Sequence, residues 1–129
     1  MKTLFDEEKI TFNLPQADLE YYPNFIDFEQ SNQFFDLLKN EVPWQQDHLV
    51  IYGKTVAQPR LTALYGNQGK PYQYSNIIMQ PHNWSPLTMF LKNKIEGICN
   101  QNFTTVLLNY YRDGQDSMGW HADNEKELG

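Results

Sequence analysis

Ile10-Thr11-Phe12-Asn13-Leu14 alternates apolar and polar positions and halts at Pro15, a pattern that predicts a short strand. Tyr21-Tyr22-Pro23-Asn24-Phe25 reads as an aromatic loop. Asp27 or Ser31 then stands where a helix N-cap belongs, and Phe34, Phe35, Leu37 and Leu38 form the stripe of a helix that stops before Pro43. Leu49-Val50-Ile51-Tyr52 predicts a strand or hairpin arm turning at Gly53-Lys54, with residues 55–59 as a loop and 61–66 as a further strand.

Asn67-Gln68-Gly69-Lys70-Pro71 is dense in turn residues. Ser85-Pro86 opens a second helix, with Ser85 as N-cap and Pro86 in the first helical position. Leu87, Phe90, Leu91, Ile95 and Ile98 recur at helical spacing, and Asn100 ends the run. Residues 104–111 are β-branched and apolar and predict a central strand, after which Asp113-Gly114 turns toward Ser117-Met118-Gly119-Trp120-His121-Ala122-Asp123. Helices before the last strands, with no βα alternation, predict an α+β, mostly β domain.

Composition narrows this only a little. The 129 residues include eight Tyr, eight Phe and three Trp, enough aromatic volume for one core and one domain. Mean hydropathy is −0.65, and no apolar run approaches the roughly 20 residues of a membrane span, so no membrane association is expected. The N-terminus turns acidic at Asp6-Glu7-Glu8 before any apolar stretch, unlike a secretory signal. The single cysteine, Cys99, cannot form an internal disulfide and fits a cytoplasmic location; it is expected as a small buried residue on its helix.

A net charge of −6 argues at first against a nucleic-acid partner, but the charges are unevenly spread. Residues 1–48 hold ten carboxylates against three lysines, while residues 49–112 hold six cations against Glu96 alone. Residues 113–129 return to five carboxylates against Lys126. Screening confines each charge to about 8–10 Å, so the basic middle can present a phosphate-binding face. Chance clustering on a solvated surface gives the same count.

His121 and Asp123 are the candidates for chemistry. On a strand, side chains at i and i+2 share a face, so an imidazole and a carboxylate can converge on one ion. Completed by a second imidazole, they form the facial triad of Fe(II) oxygenases. A solvated turn can carry the same spelling. His48 and His82 are not spaced as further ligands, and there is no zinc spacing, Gly-rich phosphate loop or nucleophile elbow.

From Ile51 to Gly129 the chain resembles the AlkB family of Fe(II)/2-oxoglutarate dioxygenases, especially the branch that repairs alkylated DNA. The resemblance rests on Tyr52-Gly53-Lys54, Pro59-Arg60-Leu61-Thr62, Tyr65-Gly66, Pro71-Tyr72-Gln73-Tyr74-Ser75, Asn109-Tyr110-Tyr111-Arg112-Asp113-Gly114, and His121-Ala122-Asp123-Asn124-Glu125 followed by Leu128-Gly129. Tyr21-Tyr22-Pro23-Asn24-Phe25 and Val42-Pro43-Trp44 extend it more weakly.

The resemblance implies Fe(II), 2-oxoglutarate and O₂, with His121 and Asp123 as the first two iron ligands. It makes Asn109 and Tyr111 the pair that hydrogen-bonds 2-oxoglutarate, roles an amide and a phenol can fill. Tyr72 and Tyr74 match aromatics that line the damaged-base pocket, sharing a face if their segment is extended. Glu125 matches an acidic residue that reads the base edge. Arg60 and Lys54 would face phosphate or the lesion pocket, and Tyr52, at a hairpin tip, would fill the gap left by an extruded base.

The implied activity is oxidative demethylation of 1-methyladenine- and 3-methylcytosine-type lesions in DNA, by a cytoplasmic monomer. The same chemistry on RNA or protein is the alternative, as is a nucleic-acid-binding domain without catalysis. The implied fold is a double-stranded β-helix, or jelly roll, with N-terminal helices. Within a single domain over 1–129, residues 1–50 would be an extension, 51–85 a nucleotide-recognition region and 86–129 the start of the catalytic core. No His follows His121 and no Arg follows Arg112, so the distal ligand and the 2-oxoglutarate-binding Arg of the family are missing. The sequence is therefore expected to be a truncated, C-terminally incomplete form, inactive by itself.

Overall fold

A computed structural model of the chain describes residues 8–74 and 76–121, with the backbone alone for Tyr74. The chain divides into two compact units, Met1–Glu41 and Val42–Gly129.

In the first unit, β1 (Ile10–Leu14) pairs antiparallel with β2 (Ala17–Tyr21) in register Ile10↔Tyr21 through Leu14↔Ala17. The second strand was not anticipated, and Tyr21 closes it rather than opening a loop. Helix α1 (Phe28–Glu41) is capped by Asp27, whose Oδ1 accepts from the Gln30 amide at 2.8 Å. Ser31 lies in its first turn. The expected stripe is only half covered: Phe34 and Leu38 are half-buried, whereas Phe35 and Leu37 are exposed.

The second unit contains β3 (His48–Ile51), β4 (Lys54–Ala57), β5 (Leu61–Gly66), β6 (Tyr72–Tyr74), β7 (Ile77–Met79), α2 (Pro86–Cys99) and β8 (Thr105–Tyr110). Strands pair as antiparallel ribbons β3–β4, β5–β8 and β6–β7. The architecture is thus α+β and mostly strands among the described residues. Residues 54–57, expected in a loop, complete the β3–β4 hairpin. Its turn is two residues long, and Tyr52 (φ 49°) and Gly53 (φ 75°) both lie in the left-handed region, the signature of a type I′ hairpin turn.

Among the described residues the central position belongs to β5 rather than to β8. On one edge β5 pairs with β8, from Leu61↔Tyr110 to Gly66↔Thr105. On the other it exchanges backbone bonds with Gln45 through Thr62, and with His82 through Leu64 and Gly66. Covered on both faces, β5 needs apolar residues at successive positions, and Ala63, Leu64 and Tyr65 are all buried. Gly66 permits the close approach: a Cβ there would stand 2.6 Å from both the Thr104 carbonyl oxygen and Thr105 Cγ2.

Helix α2 begins as its sequence predicts. Ser85 accepts from the Thr88 amide at 3.1 Å while Thr88 Oγ1 accepts from the Ser85 amide at 2.9 Å, a capping box closed by a hydroxyl instead of a carboxylate. It ends at Asn100 in the left-handed region (φ 53°), whose amide bonds Glu96 O. Leu91 and Ile95 face Val106 and Leu108 of β8 across an apolar cavity of about 220 Å³, so the stripe of α2 is only partly covered. Cys99, expected to be buried, is exposed at the last helical turn. Among the described residues no helix is long and apolar enough to cross a membrane.

Candidate metal and co-substrate site

Asn109, Tyr111 and the start of the segment that leads to His121 lie where β5 begins and β8 ends. Asn109 lies opposite Thr62 and Tyr110 opposite Leu61. The Tyr110 ring lies 5.4 Å from that of Trp44, centroid to centroid. Asn109 is exposed on the strand. Tyr111, two residues after Asn109 and within the strand expected over 104–111, is one residue beyond the last pair and also exposed.

Past Tyr111 the chain closes a tight loop. Arg112 grips Asp116 through Nε to Oδ2 at 2.8 Å and Nη2 to Oδ1 at 3.0 Å, and its own amide also bonds Oδ2 at 2.9 Å. Inside the loop Asp113 Oδ1 accepts from the Gln115 amide at 2.8 Å, the side-chain turn expected of Asp before Gly. The Arg112 side-chain hydrogen bonds, followed by its backbone amide, hold the Asp116 carboxyl below the usual aspartate value. Asp116 in turn raises the Arg112 guanidinium above its own.

The next residue is tied back to the sheet. The Ser117 amide donates to the Pro59 carbonyl at 2.9 Å, and Arg60 Nη1 donates to the Ser117 carbonyl at 3.5 Å. The chain from Ser117 to His121 therefore starts beside the first residues of β5, at the end of the ribbon where Asn109 and Tyr111 are carried. Residues 117–121 form no strand, so the alternation expected to bring His121 and Asp123 to one face does not apply as far as His121.

The His121 ring is oriented locally. Its Nδ1 lies 2.9 Å from the Gly119 carbonyl oxygen. A carbonyl only accepts, so Nδ1 carries a proton, and in the neutral ring the lone pair is then on Nε2, the arrangement a metal-ligating histidine needs. Met118, Gly119, Trp120 and His121, all exposed, line an open surface hollow of about 410 Å³. A neutral imidazole with a carboxylate two residues on is a donor set that suits Fe(II). Asp123 and Glu125 lie outside the described residues, and among the described ones no three His, Cys, Asp or Glu side chains gather into a metal site.

The other candidates are spread over the same unit. Tyr52 is fully exposed (101%) at the β3–β4 tip, and Lys54 opens β4 beside it, also exposed. Tyr72 and Tyr74 occupy alternate positions of the extended β6, opposite Met79 and Ile77. Arg60 is half-buried and reaches Ser117. Pro59 stood in a matched motif without a role of its own, and Gly119 and Asp116 were given no role from the sequence. Asp116 did leave a signal, an acid four residues after Arg112 across an Asp-Gly turn.

Comparison with known proteins adds an independent observation. Residues 18–129 match the model of a family described as the 2OG-Fe(II) oxygenase superfamily. "Alpha-ketoglutarate-dependent dioxygenase alkB homolog 3" of Bos taurus is 42% identical over 108 residues, 83% of this chain and 37% of that protein. "DNA oxidative demethylase ALKBH2" of Homo sapiens is 33% identical over 102 residues, 77% of this chain and 39% of that protein. Its Arabidopsis thaliana namesake is 32% identical over 117 residues, 88% of the chain and 37% of the relative. The chain thus spans well under half the length of these relatives.

Proposed function

The chain belongs to the 2OG-Fe(II) oxygenase superfamily, among its AlkB-type members, and from that premise we propose that it serves a dioxygenase which oxidatively demethylates alkylated bases in DNA. The observation that carries this reading is the match over residues 18–129, which takes in the oriented His121 and the ribbon end bearing Asn109 and Tyr111. The relatives' names supply the substrate class: one group is called DNA oxidative demethylase. We assign the β5–β8 ribbon to a jelly-roll core.

Fe(II), when bound, would couple O₂ to 2-oxoglutarate, one oxygen atom going to an N-linked methyl group and the other to the succinate that 2-oxoglutarate becomes on losing CO₂. This chain's residues then have separable tasks. His121 presents Nε2 because Gly119 fixes its tautomer, and Asp123 adds a carboxylate, so two of the three protein ligands are in hand. Asn109 and Tyr111 donate hydrogen bonds to the 2-oxoglutarate carboxylate. Tyr72 and Tyr74 stack against the base and Glu125 reads its edge, while Lys54 and Arg60 offset phosphate charge. Tyr52 fills the gap in a duplex. A hydroxymethyl group on a ring nitrogen is a hemiaminal, which expels formaldehyde and leaves the base restored.

Formaldehyde release from oligonucleotides carrying 1-methyladenine or 3-methylcytosine, measured with the full-length protein, Fe(II), ascorbate and 2-oxoglutarate, tests this directly. Turnover that disappears in His121→Ala is expected. Absence of turnover on every methylated DNA would sink the reading, and activity confined to RNA would move the substrate class.

A further inference from the structure

We propose that the Arg112–Asp116 pair is a positioning device that sets the His121-bearing segment against the ribbon end carrying Asn109 and Tyr111. The inference rests on the dioxygenase reading above. Tyr111 and His121 are ten residues apart in the chain and are joined by a connection with no strand or helix, the kind of segment that ordinarily moves most. Here it is closed at its base. Arg112 directly follows the co-substrate residue Tyr111, and three donors from this single residue converge on one carboxylate at 2.8–3.0 Å.

That carboxylate is nearly enclosed, with the Asp116 side chain 6% exposed. Lys9–Glu20 and Lys92–Glu96, by contrast, each bond through a single lysine nitrogen. The planar fork of arginine fixes direction as well as distance, which an ammonium cannot do. Two of the five guanidinium N–H donors are committed to Asp116, so Arg112 is poorly placed to serve as a phosphate contact. The bonds continue without a gap: Asp116 precedes Ser117, Ser117 holds Pro59 and Arg60, and His121 follows four residues later. The start of the metal segment is thereby locked to β5 and to the end of β8 at once. Neither Arg112 nor Asp116 touches the reacting groups in this account; both act through the placement of His121.

The test uses the full-length protein and three substitutions, Asp116→Asn, Arg112→Lys and Glu96→Gln. The last breaks the Lys92–Glu96 pair of α2, away from the site, and controls for general loss of stability. Metal affinity is read by anaerobic Fe(II) titration, following the visible charge-transfer band that appears with 2-oxoglutarate, alongside thermal unfolding. Asp116→Asn and Arg112→Lys are expected to weaken Fe(II) binding by about tenfold or more, the scale of outer contacts that orient metal ligands. They should also shift the band, while Glu96→Gln lowers the unfolding temperature and leaves the band unchanged. Loop variants that bind Fe(II) as wild type does, with an unshifted band, overturn the proposal and leave the dioxygenase reading standing. A wild-type protein that takes up no Fe(II) overturns both.

Discussion

Tyr52 is a bulky residue held at φ 49° with its ring in solvent, where an L side chain crowds its own carbonyl. A type I′ turn favours Asn-Gly at these two positions, so Tyr52→Asn should raise stability by about 0.5 kcal/mol or somewhat more, read by denaturant unfolding. If the ring fills a gap in duplex DNA, the same variant should lose more activity on duplex than on single-stranded substrate; equal loss on both would remove the wedge role. Gly66 presents the opposite constraint. With Thr104 O and Thr105 Cγ2 2.6 Å from its would-be Cβ, Gly66→Ala must push β8 off β5. The expected cost is about 1–3 kcal/mol, again from denaturant midpoints, because backbone cannot yield as a side chain can. Neither the strain nor the clash is legible in the sequence: Tyr-Gly at a hairpin tip is visible, but the sign of φ at the tyrosine and the neighbour of a glycine are not.

Among the elements, α2 was the most legible, since Ser85, Pro86 and Asn100 mark both ends by local chemistry. Ser85→Ala removes the acceptor of the Thr88 amide and should destabilise by about 1 kcal/mol, while the backbone amide of residue 85 can still donate to Thr88 Oγ1. β4 was illegible because residues 55–59 hold no alternation; the hairpin turn and the partner β3 impose the strand. The two clips also give the fold a pH dependence. Glu96 is held below its ordinary value of 4.5 by its hydrogen bond from Lys92 and then by the Phe103 amide. Asp116 is held below its ordinary value of 3.8 by Arg112. A depressed carboxyl stabilises the fold fully above its unfolded value and loses that contribution as pH falls through the folded one. Thermal unfolding temperature should therefore drop below about pH 4.5, and more shallowly in Glu96→Gln and Asp116→Asn, while above pH 6 the wild type should be nearly flat.

For the whole molecule, the acidic total conceals the concentration of cations between residues 49 and 112. Binding to a methylated oligonucleotide should accordingly weaken as salt rises, with a slope set by the phosphates contacted, and Lys54→Ala should reduce that slope by about one. A salt-independent affinity would detach the basic segment from substrate binding. The sequence by itself determined the family, through motifs in order from Tyr52 to Gly129, and the ends of α2, because both are written in residue types at fixed separations. It also pointed to an α+β, mostly β fold, the periodicity of single elements being local. Tertiary structure decided which strand is central among the described residues, since β5 and β8 are equally apolar and only β5 has partners there on both edges. It decided that Cys99 is exposed and that much of each helical stripe is only partly covered, because burial depends on what lies opposite. It also decided how His121 is held: by a carbonyl two residues before it and a chain of bonds through Ser117 to Pro59 and Arg60, nearly sixty residues upstream, a closeness that no spacing along the chain encodes.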